Sequence, residues 1–183
     1  MLIADLQNDE RLIAETAALL IAGFAGHRQH PWPDMPSALA EVRESLGAGR
    51  ISRIATINQG AVVGWVGGIS RYRGRVWEIH PLVVRPDLQG KGIGRALVND
   101  LESVARARGA LTLWVGTDDE DGLTTLWGMD PYPDLLGHLA DIRSVGSHPF
   151  AFYRKLGFSL AGVMPDANGP GQPDIYLARK VGR

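Results

Sequence analysis

The 183-residue chain contains no cysteine. That excludes a disulfide framework, a thiolate zinc site and a cysteine nucleophile. It has no surplus of either charge: 19 Lys and Arg stand against 20 Asp and Glu, a formal net charge of -1. A nucleic-acid partner would call for a basic excess, so none is expected. No stretch approaches the roughly 18 apolar residues that a membrane span requires. Asp5, Asp9 and Glu10 interrupt the first apolar segment and no basic stretch precedes it, so no signal peptide is read and a cytoplasmic location is expected. What the chain does have is a 45% hydrophobic content, enough for one domain with a full core.

The hydrophobic pattern alternates between strand and helix periods, with no internal repeat. Leu2 to Leu6 reads as a short strand, and Asn8 or Asp9 caps a helix running to about Phe24. His27 to Pro36, with three prolines, reads as a loop, and Ser37 to Gly47 as a second helix with Leu39, Val42 and Leu46 on one face. Arg53 to Ile57, Ala61 to Tyr72 and Arg75 to Val84 read as antiparallel strands joined at Asn58-Gln59-Gly60 and Arg73-Gly74. A helix over about Gly92 to Arg108 ends at Gly109, and Leu111 to Val115 is the next strand. Strands at about Ser159 to Met164 and Ile175 to Lys180 close the chain.

The most informative segment is Val83-Val84-Arg85-Pro86-Asp87-Leu88-Gln89-Gly90-Lys91-Gly92-Ile93-Gly94-Arg95, where an apolar strand passes through a glycine-rich loop into an amphipathic helix. Gly90, Gly92 and Gly94 can take positive φ and carry no Cβ, so successive N–H groups can converge on an anion at the helix N-terminus. Lys91 and Arg95 add positive charge beside it. A dinucleotide loop of the G-x-G-x-x-G type fails because Arg95 stands where the third glycine belongs. A Walker loop fails because Lys91 is followed by Gly92 and not by Ser or Thr.

Gln89-x-x-Gly92-x-Gly94, after the strand end Leu82-Val83-Val84, resembles the pyrophosphate loop of the GNAT superfamily of acetyl-CoA-dependent N-acetyltransferases. A second motif, Pro149-Phe150-Ala151-Phe152-Tyr153-Arg154-Lys155-Leu156-Gly157-Phe158, resembles the helix and following strand of the same superfamily. The resemblance implies an α/β fold of the α+β type: a single domain over 1–183 whose mixed, twisted central sheet of six or seven strands has helices on both faces. It implies acetyl-CoA as co-substrate, with its pyrophosphate on the backbone of Gln89, Gly90, Lys91, Gly92, Ile93, Gly94 and Arg95. It also implies an oxyanion donor among the amides of Leu82, Val83 and Val84, near a bulge marked by Pro81. No metal is needed.

Acyl transfer to an amine assigns the remaining roles. An amine with a pKa of about 10 must lose a proton before it attacks a thioester. Glu78 and His80 lie two apart on a strand, hence on one face, and are the candidate bases. The resemblance favours Glu78 by its distance upstream of Gln89, and the residues alone leave both open. Tyr153 is the candidate acid for the leaving thiolate.

From Gly116 to Ser147 the chain inserts a long segment rich in acids, including Asp118-Asp119-Glu120-Asp121. Segments of that length are usually functional or mobile. The inserted segment and the tail around Pro165 to Ile175 resemble those of aminoglycoside 6'-N-acetyltransferases, which implies a polycationic aminosugar acceptor and a role in antibiotic resistance. Carboxylates suit such a cation, and Asp118, Asp119 and Glu120 are the candidate contacts. Other acceptors stay open: a polyamine, a peptide N-terminus or a lysine. So do a non-catalytic acyl-CoA-binding regulator, a purely structural protein and a homodimeric assembly.

Overall fold

The computed structural model describes residues 1–182. Among them seven strands and five α-helices form, and the fold is α/β with a mixed sheet of seven strands. The chain divides into two compact units, one of residues 1–26, 30–113 and 181–182, the other of residues 27–29 and 114–180.

In the first unit four strands, β1 (Leu2–Asp5), β2 (Arg50–Ile57), β3 (Ala61–Arg71) and β4 (Val76–Val84), pair antiparallel in chain order. Helix α1 (Glu10–Phe24) begins where expected because Asp9 accepts from the N–H groups of Arg11 and Leu12 at 2.9 and 3.1 Å. Helix α2 spans Met35–Glu44, two residues earlier than the sequence implied. Asp34 caps it and Pro36 sits in its first turn, where a missing N–H costs nothing. The Pro-rich stretch had masked that start.

The two faces of the strands are sorted by side-chain size. Trp65 of β3 points into a fully buried cluster with Ile13, Ala17 and Leu20 of α1, Ala38 and Val42 of α2, and Val83 of β4. Its indole donates to Ser52 Oγ at 2.9 Å, so the buried N–H is satisfied. Gly64 and Gly68 lie on the other face, under α3 (Ile93–Ala107). A Cβ on Gly64 would stand 2.8 Å from Leu97 Cδ1, and one on Gly68 3.0 Å from Leu101 Cδ1. Ile93, Leu97, Leu101 and Ala105 recur at helical spacing along the buried stripe of α3. Burial of each of the larger ones, Ile93, Leu97 and Leu101, contributes about 2 kcal/mol.

Strand β4 carries a bulge. Ile79 pairs with Gly68 but Leu82 pairs with Val66, so β4 spends one residue more than β3 over this stretch. The extra length falls at His80-Pro81, whose peptide bond is cis. Gly67 makes room for it: an added Cβ there would collide with the His80 carbonyl oxygen.

The second unit holds most of β5 (Thr112–Asp118), β6 (Ser159–Met164) and β7 (Asp174–Lys180), with β6 and β7 antiparallel. Strand β5 runs three residues past the expected end at Val115 and takes in Asp118. The inserted segment is ordered and not a plain loop. It contains helix α4 (Leu135–Ala140), capped by Asp134, and an isolated bridge between Thr124 and Ser144. Helix α5 (Pro149–Lys155) ends before Gly157, which takes φ of 84° as expected. No helix among the described residues is long and apolar enough to cross a membrane.

Candidate active site

The glycine-rich loop has the geometry of an anion cradle. Gly90 and Gly92 adopt φ of 74° and 86°, and an added Cβ on either would meet no atom within 4 Å, so the loop is open on that side. Gly92 is the N-cap of α3 and makes no side-chain capping bond. Ala96 is bonded to the Gly92 carbonyl at 3.0 Å, so the amides of Ile93, Gly94 and Arg95 precede the helical ladder and face the positive end of the dipole. Such a cradle fits a diphosphate.

Two details differ from the sequence reading. Gly94 lies inside the first turn of α3 and not at positive φ, since only Gly90 and Gly92 reverse the chain here. Gln89 donates its N–H to Pro86 O at 3.3 Å and its side-chain amide to Val84 O at 3.2 Å. It therefore braces the loop, and the amides left for a ligand begin after it. Lys91 likewise folds back onto Asp87 O at 3.2 Å, whereas Arg95 is exposed.

The amides at the end of β4 separate by alternation. Arg85 N–H bonds Val63 O of β3 at 2.9 Å. In a regular antiparallel pair the Val83 amide then also faces β3, and those of Leu82 and Val84 point away from it.

On β4, Trp77 and Ile79 are buried while Glu78 is half-buried and His80 exposed, the predicted alternation. Both Arg71 nitrogens, Nε at 2.8 Å and Nη2 at 2.7 Å, go to Oε2 of Glu78. The sequence reading had not identified this partner. His80 Nε2 lies 3.9 Å from Glu41 Oε1, and its ring sits 6.0 Å from that of Trp32.

The second unit holds the other candidates. Tyr153 is 5% exposed on α5, with its ring edge-on to Phe152 and Phe158 at 5.0 and 5.3 Å. Burial pushes its phenol well above the ordinary tyrosine range, so it stays protonated. Its hydroxyl makes no hydrogen bond among the described residues.

The three candidate contact acids, Asp118, Asp119 and Glu120, have different fates. Asp118 is exposed, and Asn168 Nδ2 donates to its Oδ1 at 2.6 Å. Glu120 is partly exposed, and its carboxyl is held above the usual range by desolvation first and by the charges of Asp118 and Asp121. Asp119 departs from the expected acceptor contact. It is 0% exposed and accepts from Leu123 N–H at 2.8 Å, Thr124 N–H at 2.8 Å and Thr124 Oγ1 at 2.7 Å. A fully buried carboxylate that accepts three hydrogen bonds organises the inserted segment and is turned away from solvent. The odd residue of a strand end turns inward while its neighbours turn out, and composition alone cannot reveal that.

His148, directly before the Pro149 to Phe158 motif, was not singled out from the sequence. It is 2% exposed and caps α5. A residue directly before a proline that opens a helix is the signal that could have found it. No cluster of metal-ligating side chains occurs among the described residues.

The model of the acetyltransferase (GNAT) family matches residues 17–123. The chain is 34% identical over 119 residues to the N-alpha-acetyltransferase RimI of Mycobacterium tuberculosis, covering 63% of this chain and 67% of that protein. A shorter match, 38% over 61 residues, links 32% of this chain to an N-acetyltransferase of Methanocaldococcus jannaschii and spans only 26% of that protein's length. Among solved structures, an aminoglycoside 6'-N-acetyltransferase complexed with coenzyme A is similar at a TM-score of 0.90 and 35% identity, over 100% of this chain and 98% of that one. The cradle, the bulged strand and these matches agree: the chain belongs to the GNAT family of acetyltransferases and is an acetyl-CoA-dependent N-acetyltransferase.

Proposed function

We propose that the acceptor is the 6'-amine of an aminoglycoside. The observation that carries this reading is the extent of the likeness to the solved aminoglycoside 6'-N-acetyltransferase, which includes the inserted segment and the tail beyond the 17–123 family match. The charge of the segment agrees with it. Desolvation raises the Glu120 carboxyl first and the neighbouring charges of Asp118 and Asp121 add to it, and a polycation relieves that crowding.

In this reading the acetyl-CoA pyrophosphate lies on the amides after Gln89, and the Leu82 or Val84 amide stabilises the oxyanion. Glu78, whose Oε1 is not used by Arg71, takes the ammonium proton directly or through water, with His80 a second acceptor on the same face. Attack by the amine nitrogen on the thioester carbonyl forms the C–N bond. Collapse of the intermediate breaks the C–S bond, Tyr153 gives its proton to the departing sulfur, and the surplus proton on the newly acylated nitrogen is released and restores the phenol. The products are the amide and free CoA thiol.

Thiol release from acetyl-CoA with kanamycin-type aminoglycosides, spermidine and short peptides tests the acceptor. Aminoglycosides with a 6'-amine should turn over, and those with a 6'-hydroxyl should not. Turnover of a peptide or polyamine with no aminoglycoside activity would make the assignment wrong. Asp118→Asn should raise the acceptor KM by about threefold to tenfold, or 0.7 to 1.4 kcal/mol, and leave the acetyl-CoA KM alone. It should also flatten the salt dependence, since the Debye length shrinks from about 10 Å at 0.1 M to about 3 Å at 1 M.

The cradle has its own test. Gly92→Val puts a β-branched side chain at φ of 86° and into the open side of the loop. The acetyl-CoA KM should rise by about tenfold. An unchanged KM would remove the pyrophosphate from this loop.

A further inference from the structure

The His148 imidazole joins two parts of the second unit that the proposed chemistry uses. Its Nδ1 accepts from Phe150 N–H at 3.2 Å, and its Nε2 lies 3.0 Å from the Asp118 carbonyl oxygen. An N–H can only donate and a carbonyl can only accept, so Nδ1 carries the lone pair and Nε2 the proton. The ring is therefore neutral and in one tautomer. The helix it caps has only seven residues, too few to hold itself. Its direction is set by its ends: His148 ties the first turn to the end of β5, and Arg179 Nη1 of β7 donates to Leu156 O at 2.7 Å beyond the last. Tyr153 lies between these two ties.

We propose that His148 is a positioning residue for acetyl transfer, locking the Asp118 end of β5 to the short helix that carries Tyr153 and so setting the phenol for proton donation. The inference rests on the reading of Tyr153 as the acid. Protonation would turn Nδ1 into a donor facing the Phe150 N–H and release the helix. Burial opposes that protonation and holds the ring below the ordinary histidine range, against the charges of Asp119, Asp118 and Asp121. A depressed folded value means that the cap's contribution is complete above about pH 6.5 and is lost as pH falls through the lowered value.

A double-mutant cycle of His148→Ala and Tyr153→Phe tests the assignment. His148→Ala should lower kcat by about tenfold with the acetyl-CoA KM within about twofold of wild type. In the Tyr153→Phe background the same change should alter kcat by less than about twofold, because the group it positions is gone. His148→Asn keeps an N-cap acceptor but its shorter side chain does not reach Asp118 O. It should restore the melting temperature and keep most of the kcat loss, which covers the case in which the alanine variant folds poorly. Equal losses in both backgrounds, or recovery of kcat by asparagine, would make His148 a cap and nothing more. If Tyr153→Phe itself turns over like wild type, the acid reading fails and this proposal falls with it. If Tyr153→Phe is impaired and His148→Ala is not, this proposal alone is overturned.

Discussion

Tyr153→Phe is expected to lower kcat by about a hundredfold, the usual worth of one general acid, with the acetyl-CoA KM nearly unchanged. The substitution removes one oxygen and keeps the ring, so the edge-on contacts to Phe152 and Phe158 survive and the fold with them. The phenol is buried and uncharged, which keeps its proton on the oxygen. Because burial raises its pKa, the acid form persists as pH rises, and wild-type kcat should show no Tyr153-linked fall below about pH 10. Steady-state thiol release at saturating acetyl-CoA and acceptor, from neutral to alkaline pH, measures both. Full turnover in the phenylalanine variant would return Tyr153 to the core.

Asp119→Ala should cost about 3 kcal/mol of stability, well beyond what Asp118→Ala costs. The alanine leaves three donors, Leu123 N–H, Thr124 N–H and Thr124 Oγ1, without their acceptor in a buried site. For a chain of this size that corresponds to a fall in Tm of roughly 6 to 12 °C. Thermal and denaturant unfolding of the two alanine variants side by side measure the difference. Equal losses would mean that the Asp119 carboxylate does not organise the segment.

Those two acids are adjacent in sequence and opposite in character, which marks the limit of reading from residues alone. The periodic elements and their punctuation were legible: α1 with its Asp9 cap, the alternation of Trp77 and Ile79 with Glu78 and His80, the loop into α3, and Gly157 after α5. These are local properties, and the chain states them directly. The end of β5 was not legible, because Gly116 reads as a stop. Its real reason is tertiary: a Cβ there would stand 2.8 and 2.9 Å from the carboxylate oxygens of Asp174. The glycine allows a close approach from β7 and makes no turn. The role of His148 was equally hidden, since it depends on a carbonyl 30 residues upstream. Glu78 was read as a base without its partner, although Arg71 is only seven residues away. Cross-strand pairing in a hairpin fixes that contact: the turn at Tyr72–Gly74 sets Arg71 opposite Val76 and Ile69 opposite Glu78, which brings Arg71 and Glu78 to neighbouring positions.

On the proposed acceptor reading, the closure of the inserted segment bears on how the acceptor range can change. Asp119 ties its start to Leu123 and Thr124, and Val145 N–H returns to Leu123 O at 2.9 Å, so the stretch between is already pinned at its neck. For a chain held in that way the entropy of closure grows only with the logarithm of length, so doubling the stretch costs about 0.6 kcal/mol. Leu126 and Leu139 anchor the stretch in the core, while Tyr132 and Leu136 in the outer arc between them are 65% and 76% exposed. Lengthening or rewriting that outer arc is thermodynamically cheap while the cradle and α5 stay as they are. The fold thereby separates what must be kept, the handling of the acetyl donor, from what is free to drift, the surface proposed to meet the amine.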